Sequence, residues 1–150
     1  MHTTSILINK TNILSKINPQ QLTGLITFFA GVLIVIGAVL PWFSLYAGLQ
    51  PFPGVVGLNG RIMLGAGIFA SVMGIICFFK GIKKIQYLIN LSGIVLTLFS
   101  AWLIIGLFET YQKLLTQPLI VPKIGPGLFV STVGALLLIA TVFLNRNKKT

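Results

Sequence analysis

Aspartate is absent from the chain, and Glu109 is its only glutamate. Histidine and cysteine each occur once, at His2 and Cys77. These shortages exclude several kinds of chemistry. A Ser–His–Asp triad lacks its Asp. His2, Cys77 and Glu109 are too few and too scattered to supply the three or four ligands of a metal site. One thiol makes neither an internal disulfide nor a CxxC pair; inside an apolar run, Cys77 reads as a small hydrophobe. GLNGRIMLGAG, residues 57–67, has the glycines of a phosphate loop but no following Walker lysine. With no catalytic set and no cofactor motif, the expectation is a protein that is not an enzyme and carries no cofactor.

Charge is scarce as well. Of 150 residues 8% are charged and 55% hydrophobic, with a mean hydropathy of +0.99; a soluble domain carries about 25% charged residues. The net charge of +10 comes from eleven Lys and Arg facing one Glu. Nucleic-acid binding gathers such cations on a polar face. Here they flank apolar runs, the placement that meets anionic lipid head groups. The partner implied is the bilayer, with anionic head groups on the cytoplasmic side, and no nucleic acid.

Four runs are apolar and long enough to cross a bilayer core of about 30 Å: 22–43, 62–79, 85–108 and 127–144. Without in/out alternation they predict helices rather than barrel strands. The fold class expected is an all-α membrane protein, a four-transmembrane-helix antiparallel bundle spanning 22–145. A cytoplasmic segment, 1–21, precedes it, and a basic tail, 146–150, follows. The opening residues lack the order of a cleavable signal, so the first run is expected to stay as an anchor. Ile6, Leu7, Lys10, Ile13, Leu14 and Ile17 fall at roughly helical spacing, which leaves open an interfacial helix or a disordered tail.

Direction follows from the cations. Lys10, Lys16, Lys80, Lys83, Lys84, Arg146, Lys148 and Lys149 lie on one side; Arg61, Lys113 and Lys123, with Glu109, lie on the other. Both termini are therefore expected in the cytoplasm. KGIKK is too short to let the second and third helices be anything but antiparallel neighbours. Residues 60–84 and 125–149 are equal in length and similar in pattern, which fits either a duplicated hairpin or the self-similarity of apolar sequence. No span carries an ionisable residue in its core, which argues against proton-coupled transport. Asn90 is the most polar internal side chain, and its expected role is an interhelical hydrogen bond worth about 0.6 kcal/mol.

Helices in lipid approach closely through small residues. The expected helix-packing positions are Ala66, Ala70 and Gly74; Gly93, Thr97 and Ala101; and Gly127, Ser131 and Ala135. On the first run the spacing is seven, Ala30 with Gly37 and Gly31 with Ala38. Trp42, Phe43, Tyr46 and Arg61 are expected as interfacial anchors.

Between the first two runs, GLQPFPGVVGLNG is too apolar for a free loop and too broken to span. A cap over the bundle, a re-entrant dip and a docking surface all fit it. LLTQPLIVPKIGPG, before the fourth run, has the same character. The two apolar outer loops would form a joint cap with short extended pieces such as 119–121. Pro51, Phe52, Pro53, Leu119, Ile120 and Val121 are its candidate contact surface.

A first span closing on AVLPWF, 38–43, then a short outer loop and a Gly-rich second span resembles small bacterial four-helix integral membrane proteins. LPW at that place is also distantly claudin-like, although the claudin GLW and paired Cys are missing and the loop is too short for the claudin sheet. The resemblance implies a multi-pass protein of the bacterial inner (cytoplasmic) membrane. The function expected is contact, as accessory subunit, assembly factor or scaffold, with a membrane-protein partner or a second copy. The alternative is a transporter or channel component for a neutral or apolar small molecule.

Overall fold

The computed structural model describes residues 19–81, 83–116 and 121–146. Residues 1–18, with the expected interfacial helix, lie outside them, as do Leu119 and Ile120. Four helices dominate: α1 (Pro19–Val39), α2 (Leu58–Lys80), α3 (Lys83–Leu115) and α4 (Gly127–Arg146). Three of them, α1, α2 and α3, are long and apolar enough to cross a membrane; α4 has 20 residues and is apolar as far as Thr141. The architecture is compatible with an all-α membrane protein, with one addition. The connections from α1 to α2 and from α3 to α4 make strands β1 (Pro41–Leu45), β2 (Gln50–Pro53) and β3 (Lys123–Ile124), antiparallel in the order β2-β1-β3.

Each helix boundary has a local cause. Pro19 opens α1 at the position where a missing N–H costs nothing. Pro41 ends the same helix, which stops at Val39 rather than at Phe43. Gly81, at φ 58°, takes the left-handed turn after α2 and donates its N–H to Cys77 O at 3.0 Å. Lys80 in that last turn faces the negative end of the helix dipole. At 33 residues α3 extends beyond the expected 85–108, and at 1.5 Å per residue it is about 50 Å long, well over a bilayer core.

The centre of the bundle is α1. It packs on α2 along one face and on α4 along another, while α3 rests chiefly on α4 and touches α2 only lightly. Short connection and close packing therefore do not coincide for α2 and α3. The reason lies in where the glycines fall. A Cβ on Gly24 would sit 2.8 Å from Gly74 O, and one on Gly74 would sit 2.5 Å from Phe28 N. Gly31 would similarly meet Ser71 N at 2.5 Å, and Gly67 would meet Val35 N at 2.9 Å. Against α4, Gly37 would meet Gly127 O at 2.6 Å, and Gly134 would meet Ala30 O at 2.7 Å. Both seams are backbone against backbone. The two sevenfold spacings on α1 thus serve different neighbours, Gly31 facing α2 and Gly37 facing α4.

The buried stripe of α2 is Gly60, Met63, Gly67, Ala70, Gly74 and Cys77. That of α3 is Ile89, Gly93, Leu96, Ser100 and Leu103. Both alternate steps of three and four, as a helix pair crossing at a shallow angle requires. Strict fourfold spacing instead drifts about 40° per step around a 3.6-residue helix. Gly93, Thr97 and Ala101 accordingly pass from buried through half-buried to exposed. Ala66 sits half-buried at the rim of the α2 stripe, while Ala70 and Gly74 are inside it. Gly127, Ser131 and Ala135 all remain buried because α4 is covered by α1 on one flank and α3 on the other.

Most polar groups in these seams are satisfied locally or across helices; Thr97 Oγ1 on α3 is buried without a hydrogen-bond partner among the described residues. Ser131 Oγ donates to Ile34 O at 3.3 Å, and Thr141 Oγ1 bonds Leu138 O at 2.6 Å and reaches Asn90 Oδ1 at 3.5 Å. The last contact is the interhelical bond expected of Asn90. Large apolar side chains such as Phe29, Phe79 and Leu98 point outward.

Gly31→Ala is expected to destabilise the protein by about 1–3 kcal/mol through overpacking. Gly65→Ala, whose Cβ would meet nothing within 4 Å, is expected to be neutral or stabilising by up to about 1 kcal/mol. Thermal unfolding in detergent, followed by far-UV circular dichroism, checks the pair; equal effects would contradict the seam.

Candidate functional site

At the end of α1 the sequence LPW is a piece of hydrogen-bond accounting. Leu40 N still donates helically to Ile36 O at 3.0 Å. The next donor in the ladder would be residue 41, bonding Gly37 O, but proline has no N–H. The Trp42 indole supplies the missing donor: Nε1 reaches Gly37 O at 2.8 Å. To do so the ring folds back over the helix end, into space that Gly54 and Gly127 leave by having no side chain. Trp42 is half-buried there and packs on the hydrophobic core.

The same turn feeds the sheet. Leu40 O accepts from Gly54 N at 3.2 Å and Trp42 O from Gly125 N at 3.0 Å, so residues 40–42 hold a glycine from each of the two connections at this end. Ser44, buried in the middle strand, donates its hydroxyl to Lys123 O at 3.3 Å. Arg61 Nε bonds Val55 O at 3.1 Å and ties the start of α2 to the preceding 3-10 turn, Gly54–Val56. The loops therefore form a cap over one end of the bundle. It has a three-stranded sheet, which the all-α expectation left out; extended pieces were expected at 119–121, and the strand described in that connection is Lys123–Ile124. Edge strand β2 carries Pro51 and Pro53, and β3 has two residues; prolines and shortness both blunt an edge against further strand pairing.

What the cap displays is apolar. The hairpin tip turns through Tyr46, at φ 50°, and Gly48, at φ 106°. A tyrosine in the left-handed region is strained. Tyr46 is half-exposed, and Leu49 is 87% exposed. Val56, Leu58 and Val121 are exposed too. Of the predicted contact residues, Pro51 faces outward and Phe52 and Pro53 are half-buried. Phe43 is half-buried in β1. The residues not anticipated are Ser44, Leu49, Gly54 and Gly125. The two glycines were legible only as Pro–Gly or Gly–Pro punctuation, which marks a turn but not the close approach it permits.

Among the described residues no three of His, Cys, Asp and Glu come together as a metal site. Cys77 is buried in α2, and Glu109 is exposed on α3. Family models, curated proteins and solved structures were compared with the chain, and none matches it.

Trp42→Phe removes the donor to Gly37 O and is expected to cost about 1–3 kcal/mol, the range for a polar group left unsatisfied. Pro41→Ala restores a backbone N–H at that position and is expected to recover part of the loss. A double-mutant cycle on thermal stability, with a coupling energy of about 1 kcal/mol, is the check; strict additivity would refute the replacement.

Proposed function

We propose that the chain is a multi-pass protein with four membrane crossings and both termini in the cytoplasm, and that it works by contact through its outer cap. A bacterial inner membrane is the setting that the LPW resemblance suggests. The fourth crossing is α4, whose 20 residues are about 30 Å long, enough for a bilayer core. The orientation rests on the cation imbalance. Lys80 closes α2 and Lys83–Lys84 open α3 at the end where α1 begins and α4 finishes, whereas Arg61, Lys113 and Lys123 belong to the cap end.

One observation supports a contact role above all. Outward apolar side chains on the helices have lipid to face, but those on the hairpin tip, Leu49 foremost, project from a cap beyond the helix end. Apolar side chains held out on a pinned sheet favour a protein surface as their counterpart. The blunted sheet edges favour side-chain contact over strand addition. The partner's class is a membrane protein, whether an unlike subunit or a second copy, and the role is that of accessory subunit, assembly factor or scaffold. The transport alternative draws no support from the described core, where Ile34, Met63, Leu128 and Leu138 are fully buried.

A photo-crosslinking residue at Leu49 is expected to give discrete protein adducts in native membranes, while one at the outward Leu98 gives lipid adducts only. Protein adducts equally frequent at both positions, or none at Leu49, would overturn the contact reading.

A further inference from the structure

On the flank of the cap, β1 and α3 enclose a cleft of about 410 Å³ lined by Trp42, Phe43, Trp102, Leu103, Gly106 and Glu109, with Thr110 at its end. Leu103 is buried, Trp42 and Phe43 are half-buried, and Trp102 and Glu109 are exposed, so the cleft runs from an open rim on α3 down to Leu103. The volume is within the range of about 300–1,000 Å³ that small-molecule sites occupy.

Two features separate this cleft from an ordinary gap between elements. The first is charge. The chain's single acid stands at its mouth and makes no hydrogen bond or ion pair among the described residues. Lys113 lines an adjoining groove that shares Ile105 and Glu109 with the cleft. The second is Gly106. Of the described α-helical glycines, only Gly65 and Gly106 have nothing within 4 Å of an added Cβ. Close packing explains the others. Of the two, Gly106 is the one that lines this cleft, and glycine is the poorest helix former after proline.

We infer that this cleft binds a phospholipid carrying an amine in its head group, with the ammonium at Glu109 and the first part of an acyl chain in the apolar space beside Gly106. Each part of the ligand has a matching group. A carboxylate attracts an ammonium, and Trp102, about two turns along α3 from Glu109, offers an apolar wall to the chain. Lys113 supplies the cation for the phosphate. An anionic lipid without an amine would bring only like charge to Glu109. The inference rests on the membrane reading above but not on the hairpin contact, so the two fail separately.

The chain's two tryptophans both line the cleft, so their fluorescence reports occupancy directly. The full chain is reconstituted in vesicles of phosphatidylethanolamine and phosphatidylglycerol in equal parts, with brominated acyl chains on one lipid or the other. Brominated phosphatidylethanolamine is expected to quench tryptophan about two- to fivefold more than brominated phosphatidylglycerol, the discrimination an exposed ion pair supplies. Glu109→Gln is expected to equalise the two lipids. Gly106→Leu, which fills the space, is expected to abolish the excess quenching with the helical circular dichroism unchanged. Equal quenching by both lipids in the native chain, or an unaltered preference in Glu109→Gln, would overturn the inference. The exposed Glu109 substitution decides the matter alone should Gly106→Leu lose its fold.

Discussion

Close approach of one backbone to another is the constraint on which this fold depends. In lipid, the hydrophobic effect does not draw helices together, so contact must come from shape. The first helix solves this twice. Gly24 and Gly31 admit α2, and Gly37, with Ala30 opposite Gly134, admits α4. A helix with one smooth face makes a pair; a helix with two makes a centre. The cap covers the end of α1, and α3 joins the bundle through α4.

The cap follows from how that central helix stops. Proline ends the ladder and leaves Gly37 O without its helical donor, and the indole of the next residue replaces it. Because the ring must lie over the helix end, the chain leaves in an extended direction and becomes the middle strand of a sheet. Leu40 O and Trp42 O then capture Gly54 and Gly125, one from each connection at this end. A few residues thus bring 41–57 and 121–126 into one surface. That surface is short, and its edges carry prolines, so its outward side chains are what it offers to a neighbour.

Much of this was legible in the sequence. Uninterrupted apolar runs give helices because backbone polar groups in lipid have nowhere else to bond. Where helices pack was only half legible. Fourfold spacing of small residues picked out Ala70, Gly74 and Gly93 but also Ala101, which is exposed, because such spacing drifts around the helix. The three–four alternation of Gly60, Met63, Gly67 and Ala70 was present in the sequence and is the better signal. The sheet was not legible. Its third strand depends on pairing between residues far apart, such as Ser44 with Lys123, which no local pattern encodes, and the local β1–β2 hairpin is masked by its prolines. Trp42 sits at the helix end that LPW marks, yet its hydrogen bond emerges only when the missing proline N–H is counted against a particular carbonyl.

The contrast among glycines bears on function as well as fold. Where a glycine touches a neighbouring backbone, packing accounts for it. Where a glycine faces open space beside the only acid and both tryptophans, packing leaves it unexplained, and a ligand becomes the natural reading.

Magic-angle-spinning NMR on the glycine-labelled chain in lipid bilayers addresses the glycine seams most directly. Backbone cross-peaks linking Gly24 with Gly74 and Gly31 with Gly67 are the result that two-faced packing of α1 predicts. A well-folded, helical sample in which α1 glycines show no contact with α2 would contradict it.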